Sequence, residues 1–222
     1  MVRSRWLALA GFVAGMTSVT SMAGALPVEL ASHRAVYKMG LSSARSGSGM
    51  ANASGVWTYQ FSDACNAWVT EYRLNITYAY AEGGQVELTT DFMGWESKDG
   101  LVYRFRVRQA RDGQITDEVE GVARLNGVGQ GGVVRFVRPE SGTLRLPKGT
   151  LFPTTHTIRL LDLAHHGGQS LSRPLFDGQG EEGPFDTSAR IGRPIAQPAT
   201  ASDPLLDSPA WPMRMAFYPT GS

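Results

Sequence analysis

The sequence predicts an all-β protein, an antiparallel meander that curls or closes to hide its edges, with one short helix. Three observations carry this. Apolar and polar residues alternate with period two in run after run, punctuation rich in Gly, Pro, Asn and Asp separates the runs, and a single stretch breaks the rhythm with helical spacing.

The first segment is read as a leader. Arg3 and Arg5 precede an uncharged run at 6–22, and Ala23-Gly24-Ala25 then places small residues where a signal peptidase wants them. We expect residues 1–25 to be a secretory signal peptide, and 26–222 to be one exported β-barrel-like domain. The apolar run is too short and too diluted by Gly, Ser and Thr to span a bilayer, which takes about 20 mostly apolar residues. No later segment approaches that length, so the chain is not expected to be membrane-spanning. No cysteine follows the small residues, which argues against a lipoprotein anchor.

The strands follow in order. Modest alternating runs at 35–41 and 55–61 precede the strongest, VTEYRLNITYAY at 69–80, in which Tyr72, Leu74, Ile76, Tyr78 and Tyr80 share a face opposite Glu71, Arg73, Asn75 and Thr77. In LVYRFRVR at 101–108, Leu101, Tyr103, Phe105 and Val107 oppose Val102, Arg104, Arg106 and Arg108. Further runs lie at 85–95, 114–125, 132–137, 143–146 and 187–191. The segment at 211–222 opens another, with Met213, Met215 and Phe217 on one face. The punctuation between runs is short, as at Gly83-Gly84, Asp99-Gly100 and Asp112-Gly113, so successive strands become antiparallel neighbours. The glycine-rich NGVGQGG at 126–132 falls between two strands and reads as a hairpin loop rather than a phosphate cradle.

The interruption is LPKGTLFPTTHTIRLLDLAHHGG at 146–168, which holds three of the four histidines. Pro153 suits a first helical turn, the neighbouring threonines are expected to cap its amides, Ile158, Leu160, Leu161, Leu163 and Ala164 make an apolar face, and Gly167-Gly168 stops it. A helix over 153–166 sets His156 in the first turn and His165 and His166 in the last. Metal-binding pairs on a helix are three or four residues apart, whereas His156 and His165 are nine apart and adjacent histidines diverge by about 100°. The spacing therefore argues against a metal. Asp162 and His166 form an i, i+4 pair of the kind usual on helix surfaces.

Charge narrows the partners. The chain has 21 Lys+Arg against 20 Asp+Glu, and removing Arg3 and Arg5 leaves 19 against 20, so no nucleic-acid partner is indicated. The row Arg104, Arg106 and Arg108 is a candidate interaction surface for anionic headgroups, although such rows are commonly solvated faces. The single cysteine, Cys65, has no neighbouring base to lower its pKa, and in an oxidising compartment a lone cysteine suggests an intermolecular bridge, a reactive thiol or a missing partner. Nucleophile-elbow, dinucleotide, P-loop and HExxH patterns are absent, and no cofactor is expected.

Six motifs in order carry a resemblance: HRAVYKMGL (33–41), GVWTYQFSDACNAW (55–68), WESKDGLVYRFRV (95–107), GVARL (121–125), LPKGTLFPTTHT (146–157), and FDG followed by FDTSARIG. Together they resemble the EipB-type cell-envelope integrity proteins of alphaproteobacteria, the WESKDG and LPKGTLFPTTHT blocks most specifically. The resemblance implies a periplasmic, open, spiral-like β-barrel shaped somewhat like lipoprotein carriers. It further implies a role in envelope integrity under stress and a link to a periplasmic tetratricopeptide-repeat protein, with no established biochemical activity. It also implies a family disulfide between the position of Cys65 and a cysteine near the C terminus. That second cysteine has no counterpart here, and relative to the family the chain reads as truncated or divergent after 209–218.

Two functions of different class follow. The first is a non-enzymatic binding or scaffold barrel, with Tyr72, Leu74, Tyr78, Phe105 and Phe136 as the expected lining of a cavity for a lipid acyl chain or peptide, and the outer face as a docking surface for a helical-repeat partner. The alternative is a periplasmic hydrolase using His156 or the Asp162/His166 pair, with a threonine or metal-bound water.

Overall fold

The alternating runs form eight consecutive antiparallel strands: β1 (His33–Gly40), β2 (Met50–Asp63), β3 (Ala67–Tyr80), β4 (Gln85–Ser97), β5 (Val102–Arg111), β6 (Gln114–Leu125), β7 (Gly132–Arg138) and β8 (Gly142–Leu146). Each pairs with its sequence neighbour, and among the described residues β1 and β8 are the edges of one curled sheet. This computed structural model describes residues 28–181, 183–195 and 208–220, so the expected signal peptide at 1–25 lies outside the described residues.

The register explains the curl. Opposed residues share a face, and one inward row reads Phe61, Thr70, Gly94, Phe105, Gly121 and Phe136 from β2 to β7. Large rings beside missing side chains let the inner surface tighten without clash. At Gly121 an added Cβ would stand 2.7 Å from Phe105 Cζ and 2.8 Å from the Arg135 carbonyl oxygen. Register shifts at Gln109/Ala110 and Glu120/Gly121 add bends where the sheet turns inward.

The expected meander forms the curled sheet, and after β8 the chain adds a second, smaller sheet. Helix α1 (Pro153–His165) intervenes, and β9 (Ser170–Leu175), β10 (Phe185–Ile191) and β11 (Met213–Pro219) form a second sheet in the order β11-β10-β9. Strand β9, SLSRPL, has no period-two apolar pattern and contains Pro174. Proline is confined to edges because it donates no ladder hydrogen bond, and β9 is an edge.

Two cores result. Inside the curl, Tyr103, Phe105, Val107, Val119, Ala123, Val134, Phe136 and Leu146 pack beneath Phe152, which precedes α1, and Phe176, which follows β9. Between α1 and the second sheet, Leu160 and Ala164 meet Leu171, Ala189 and Ile191. The helix thus bridges both, its first turn over the curled sheet and its later turns on the smaller one. It ends as expected, one residue early, with Gly167 N–H donating to the Ala164 carbonyl and Gly168 N–H to that of Leu163.

The cap of α1 differs from the expectation. The threonines do not cap it through their own side chains, because Phe152 at the N-cap contributes no side-chain hydrogen bond. Glu96, reaching from β4, accepts instead from Thr154 N–H at 2.7 Å, Thr155 N–H at 2.8 Å and the Thr155 hydroxyl at 2.5 Å. A carboxylate at a helix N-terminus satisfies orphan amides and opposes the dipole, and a distant one also pins the helix to the sheet. The two most specific sequence blocks, WESKDG and LPKGTLFPTTHT, meet at this contact.

Candidate functional site

Where β1, β2 and β3 turn inward, no side chain among the described residues fills the curl. Inward positions bring Tyr37 opposite Trp57, and Tyr59 opposite Tyr72, itself opposite Phe92. The rings form a continuous wall: Tyr37 and Trp57 centroids lie 5.0 Å apart, Tyr72 and Phe92 stack at 4.7 Å, and Trp57 meets Tyr72 at 6.1 Å with planes at 90°. The wall bounds a cavity of about 690 Å³, closed on its far side by Pro153, Thr154 and Thr157 of α1 and by Asp177 and Gln179. That volume lies within the roughly 300–1,000 Å³ usual for small-molecule sites, which are concave, mostly apolar and carry a few polar groups.

Asp177 supplies the acidic group. Its Oδ1 accepts from Gln179 N–H at 3.1 Å, its backbone carbonyl accepts from the Tyr103 hydroxyl at 2.9 Å, and burial pushes its carboxyl above the ordinary carboxylate range. Burial and then the Asp177 charge push the Tyr72 phenol up to about 12, so it stays a neutral donor at any physiological pH. Glu96, 2% exposed, is likewise raised by burial, which its hydrogen bonds to Thr155 and Thr154 partly offset. Trp57 Nε1 is buried and has no hydrogen-bond partner among the described residues.

Of the five residues expected to line a cavity, Tyr72 does so. Phe105 and Phe136 are buried in the packed core instead, and Leu74 and Tyr78 lie half-buried further along β3, outside the lining. The sequence reading passed over Tyr37, Trp57, Tyr59, Phe61 and Asp177. The signal was there in GVWTYQF, whose Trp57, Tyr59 and Phe61 recur at every second position.

The histidines are separated. His156 is buried, and its Nε2 lies 3.4 Å from Thr187 Oγ1, whose proton goes to the Arg173 carbonyl at 2.7 Å. With its proton on the Arg173 carbonyl the hydroxyl has none to give His156, whereas a base activating a nucleophile must receive it. Burial lowers the His156 pKa and favours the neutral ring. Asp162 and His166 sit exposed at the other end of α1, 3.5 Å apart, with His166 Nδ1 also 2.7 Å from the Asp162 carbonyl. Among the described residues no group of three or more His, Cys, Asp or Glu is placed to hold a metal.

The arginine row stands on the outer face. Arg106 is spent on Glu118 at 2.5 Å, which Arg138 also contacts at 2.8 Å, and Arg104 lies over the Trp95 ring at 5.1 Å. Arg108 lines an outer groove with Arg34, Arg73, Glu71 and Asp91, where Arg73 and Asp91 pair at 3.6 Å. Arg106 lines it too, so four arginines face two carboxylates there, with Arg106 held by Glu118 and Arg73 by Asp91. Cys65 is exposed at the β2–β3 turn, with a left-handed φ of 60°.

A family model described as EipB-like matches residues 24–222. The chain belongs to the EipB-like family. Cell envelope integrity protein EipB of Brucella abortus (strain 2308) is 30% identical over 210 residues, covering 92% of this chain and 73% of its own. A crystal structure from Brucella abortus, of a beta-barrel-like protein of a domain of unknown function, superposes with a TM-score of 0.80 at 28% identity, over 88% of this chain and 82% of that one. The unclosed, curled sheet of this chain thus shares its fold with a protein described as beta-barrel-like. Among the described residues no helix is long and apolar enough to cross a membrane.

Proposed function

We propose that this EipB-like chain is an exported, periplasmic, non-enzymatic protein that supports cell-envelope integrity by holding an apolar ligand, a lipid acyl chain or an apolar peptide side chain, in the aromatic cavity. The observation that carries the reading is the contrast within one sheet. Side chains pack the curl from β5 to β8, whereas among the described residues the same alternation from β1 to β3 borders about 690 Å³ of open space. Tyr37 stays 47% exposed in a wall of stacked rings, and a ligand that covered it would gain about 25 cal/mol per Å² of apolar surface removed from water. The envelope role comes from the relative named a cell envelope integrity protein.

Native mass spectrometry of the mature protein, purified from the periplasm without detergent, tests this. A discrete adduct of lipid or peptide mass is expected, and displacement of a fluorescent fatty-acyl probe from the cavity should follow. A bare apo mass together with no probe binding would overturn the ligand reading. It would favour a scaffold whose outer face, including Arg104 and Arg108, which make no ion pair among the described residues, meets a tetratricopeptide-repeat partner.

A further inference from the structure

The FDG motif at 176–178 has a role that fold alone does not explain. Phe176 is anchored in the core at 1% exposure, 5.4 Å from the Phe105 ring. Gly178 takes a left-handed φ of 72° with its backbone against Phe105, where any side chain would collide with that ring. Between these two fixed points Asp177 is held at the cavity, and the Tyr103 hydroxyl clamps its carbonyl. Asp177 Oδ1 takes one backbone amide, and among the described residues its carboxylate makes no ion pair. A rigid scaffold thus presents an uncompensated carboxylate to an aromatic chamber.

The chamber suits one sign of charge. Trp57 meets Tyr72 at 90° and Tyr59 at 74°, so the walls stand nearly at right angles, and aromatic faces attract cations through the ring quadrupole. Arg34, which borders the cavity, directs its guanidinium to Gln60 Oε1 at 2.9 Å on the outer face. The positive end of α1, which would draw an anion, is already occupied by Glu96. Asp177 is the carboxylate that borders the chamber, and the titratable base beside it is His33, whose ring lies 5.5 Å from that of Tyr59 and whose Nδ1 is 2.8 Å from the Ala31 carbonyl oxygen.

We infer that the aromatic chamber, with Asp177 at its far side, selects a positively charged group, an ammonium or trimethylammonium, carried on an apolar body. This rests on the proposal that the cavity binds an apolar ligand and adds the sign of the ligand's charge. Neutral amphiphiles gain the burial alone. Anionic ones meet the Asp177 carboxylate in a weakly solvated site. Burial's upward pull on the Asp177 carboxyl is what a cationic partner would reverse.

The full mature protein is titrated, below micelle-forming concentrations, with decyltrimethylammonium, decyl maltoside and decyl sulfate, following tryptophan fluorescence and binding heat. Decyltrimethylammonium is expected to bind at least about ten-fold more tightly than either of the others. Asp177→Asn should erase most of that preference, bringing decyltrimethylammonium binding close to that of decyl maltoside measured on the same variant. Tyr59→Leu, which removes one wall, should reduce the preference if Asp177→Asn does not fold by circular dichroism. The comparison of three ligands on the unaltered protein needs no variant. Equal binding of all three overturns the charge inference and leaves the apolar cavity standing, whereas binding of none overturns both.

Discussion

The β5–β8 and β1–β3 halves of the curled sheet share one strand pattern and have opposite interiors. From β5 to β8 the inward residues are buried beneath Phe152 and Phe176, whereas in β1–β3 Tyr37, Trp57, Tyr59 and Tyr72 are only partly covered. The difference lies in what the rest of the chain brings. The segments flanking α1 and β9 deliver two phenylalanines over one half and deliver Asp177 and Gln179 to the border of the other. A barrel becomes a container where its lid residues are polar, and a core where they are aromatic.

The largest expected effect breaks that contrast. Phe152 is fully buried and stacks on Tyr103 at 5.3 Å, so Phe152→Ala should cost about 3–5 kcal/mol in urea unfolding. Tyr37→Ala, on the open wall, should cost less than about 1 kcal/mol. Similar losses for the two would mean that the cavity wall is core, and the division drawn above would fall.

The seam between halves comes next. Glu96→Ala leaves the Thr154 and Thr155 amides unsatisfied in a buried place, for an expected loss of about 1–3 kcal/mol. Thr155→Ala removes one of those three hydrogen bonds and keeps the carboxylate, so it should lose less. If Thr155→Ala were the more damaging, the helix would not depend on the strand for its cap.

Acid should act through His156. Its folded pKa lies below the ordinary value of 6.5 because burial disfavours the imidazolium, so the unfolded chain binds more protons as pH falls through that value. Stability contributed by the neutral ring is present above about pH 6.5 and declines below it. The fall in melting temperature between pH 7.5 and pH 5 should therefore be smaller in His156→Gln than in the unaltered protein. Equal falls would place the acid sensitivity elsewhere.

The sequence carried the eight-strand meander and the helix, because both rest on local periodicity: VTEYRLNITYAY can hide its aromatic face only as a strand. It did not carry β9, since SLSRPL lacks alternation and becomes a strand only by pairing with β10. Nor did it distinguish Phe105 from Tyr72. Both are inward aromatics on alternating strands, and their different fates depend on Phe176 and Asp177, about 70 to 105 residues further on. The cap by Glu96 was hidden for the same reason. The WESKDG and LPKGTLFPTTHT blocks stood out as motifs, but their hydrogen bonds span 58 and 59 residues.

The smallest effect sharpens the comparison most. Trp57 Nε1–H is buried in the open half with no partner among the described residues, a state that costs about 1–3 kcal/mol when a donor is left unmade. In a packed core, replacing an indole with a smaller ring opens a void and destabilises. Beside an existing cavity the same change should merely enlarge it and remove the stranded donor. Trp57→Phe is therefore expected to leave unfolding stability unchanged or raise it by up to about 1 kcal/mol, while weakening decyltrimethylammonium binding several-fold, because the indole is the strongest cation–π surface in the wall. A loss of stability without a loss of binding would assign Trp57 to the core, and the two halves of the sheet would then differ in degree rather than in purpose.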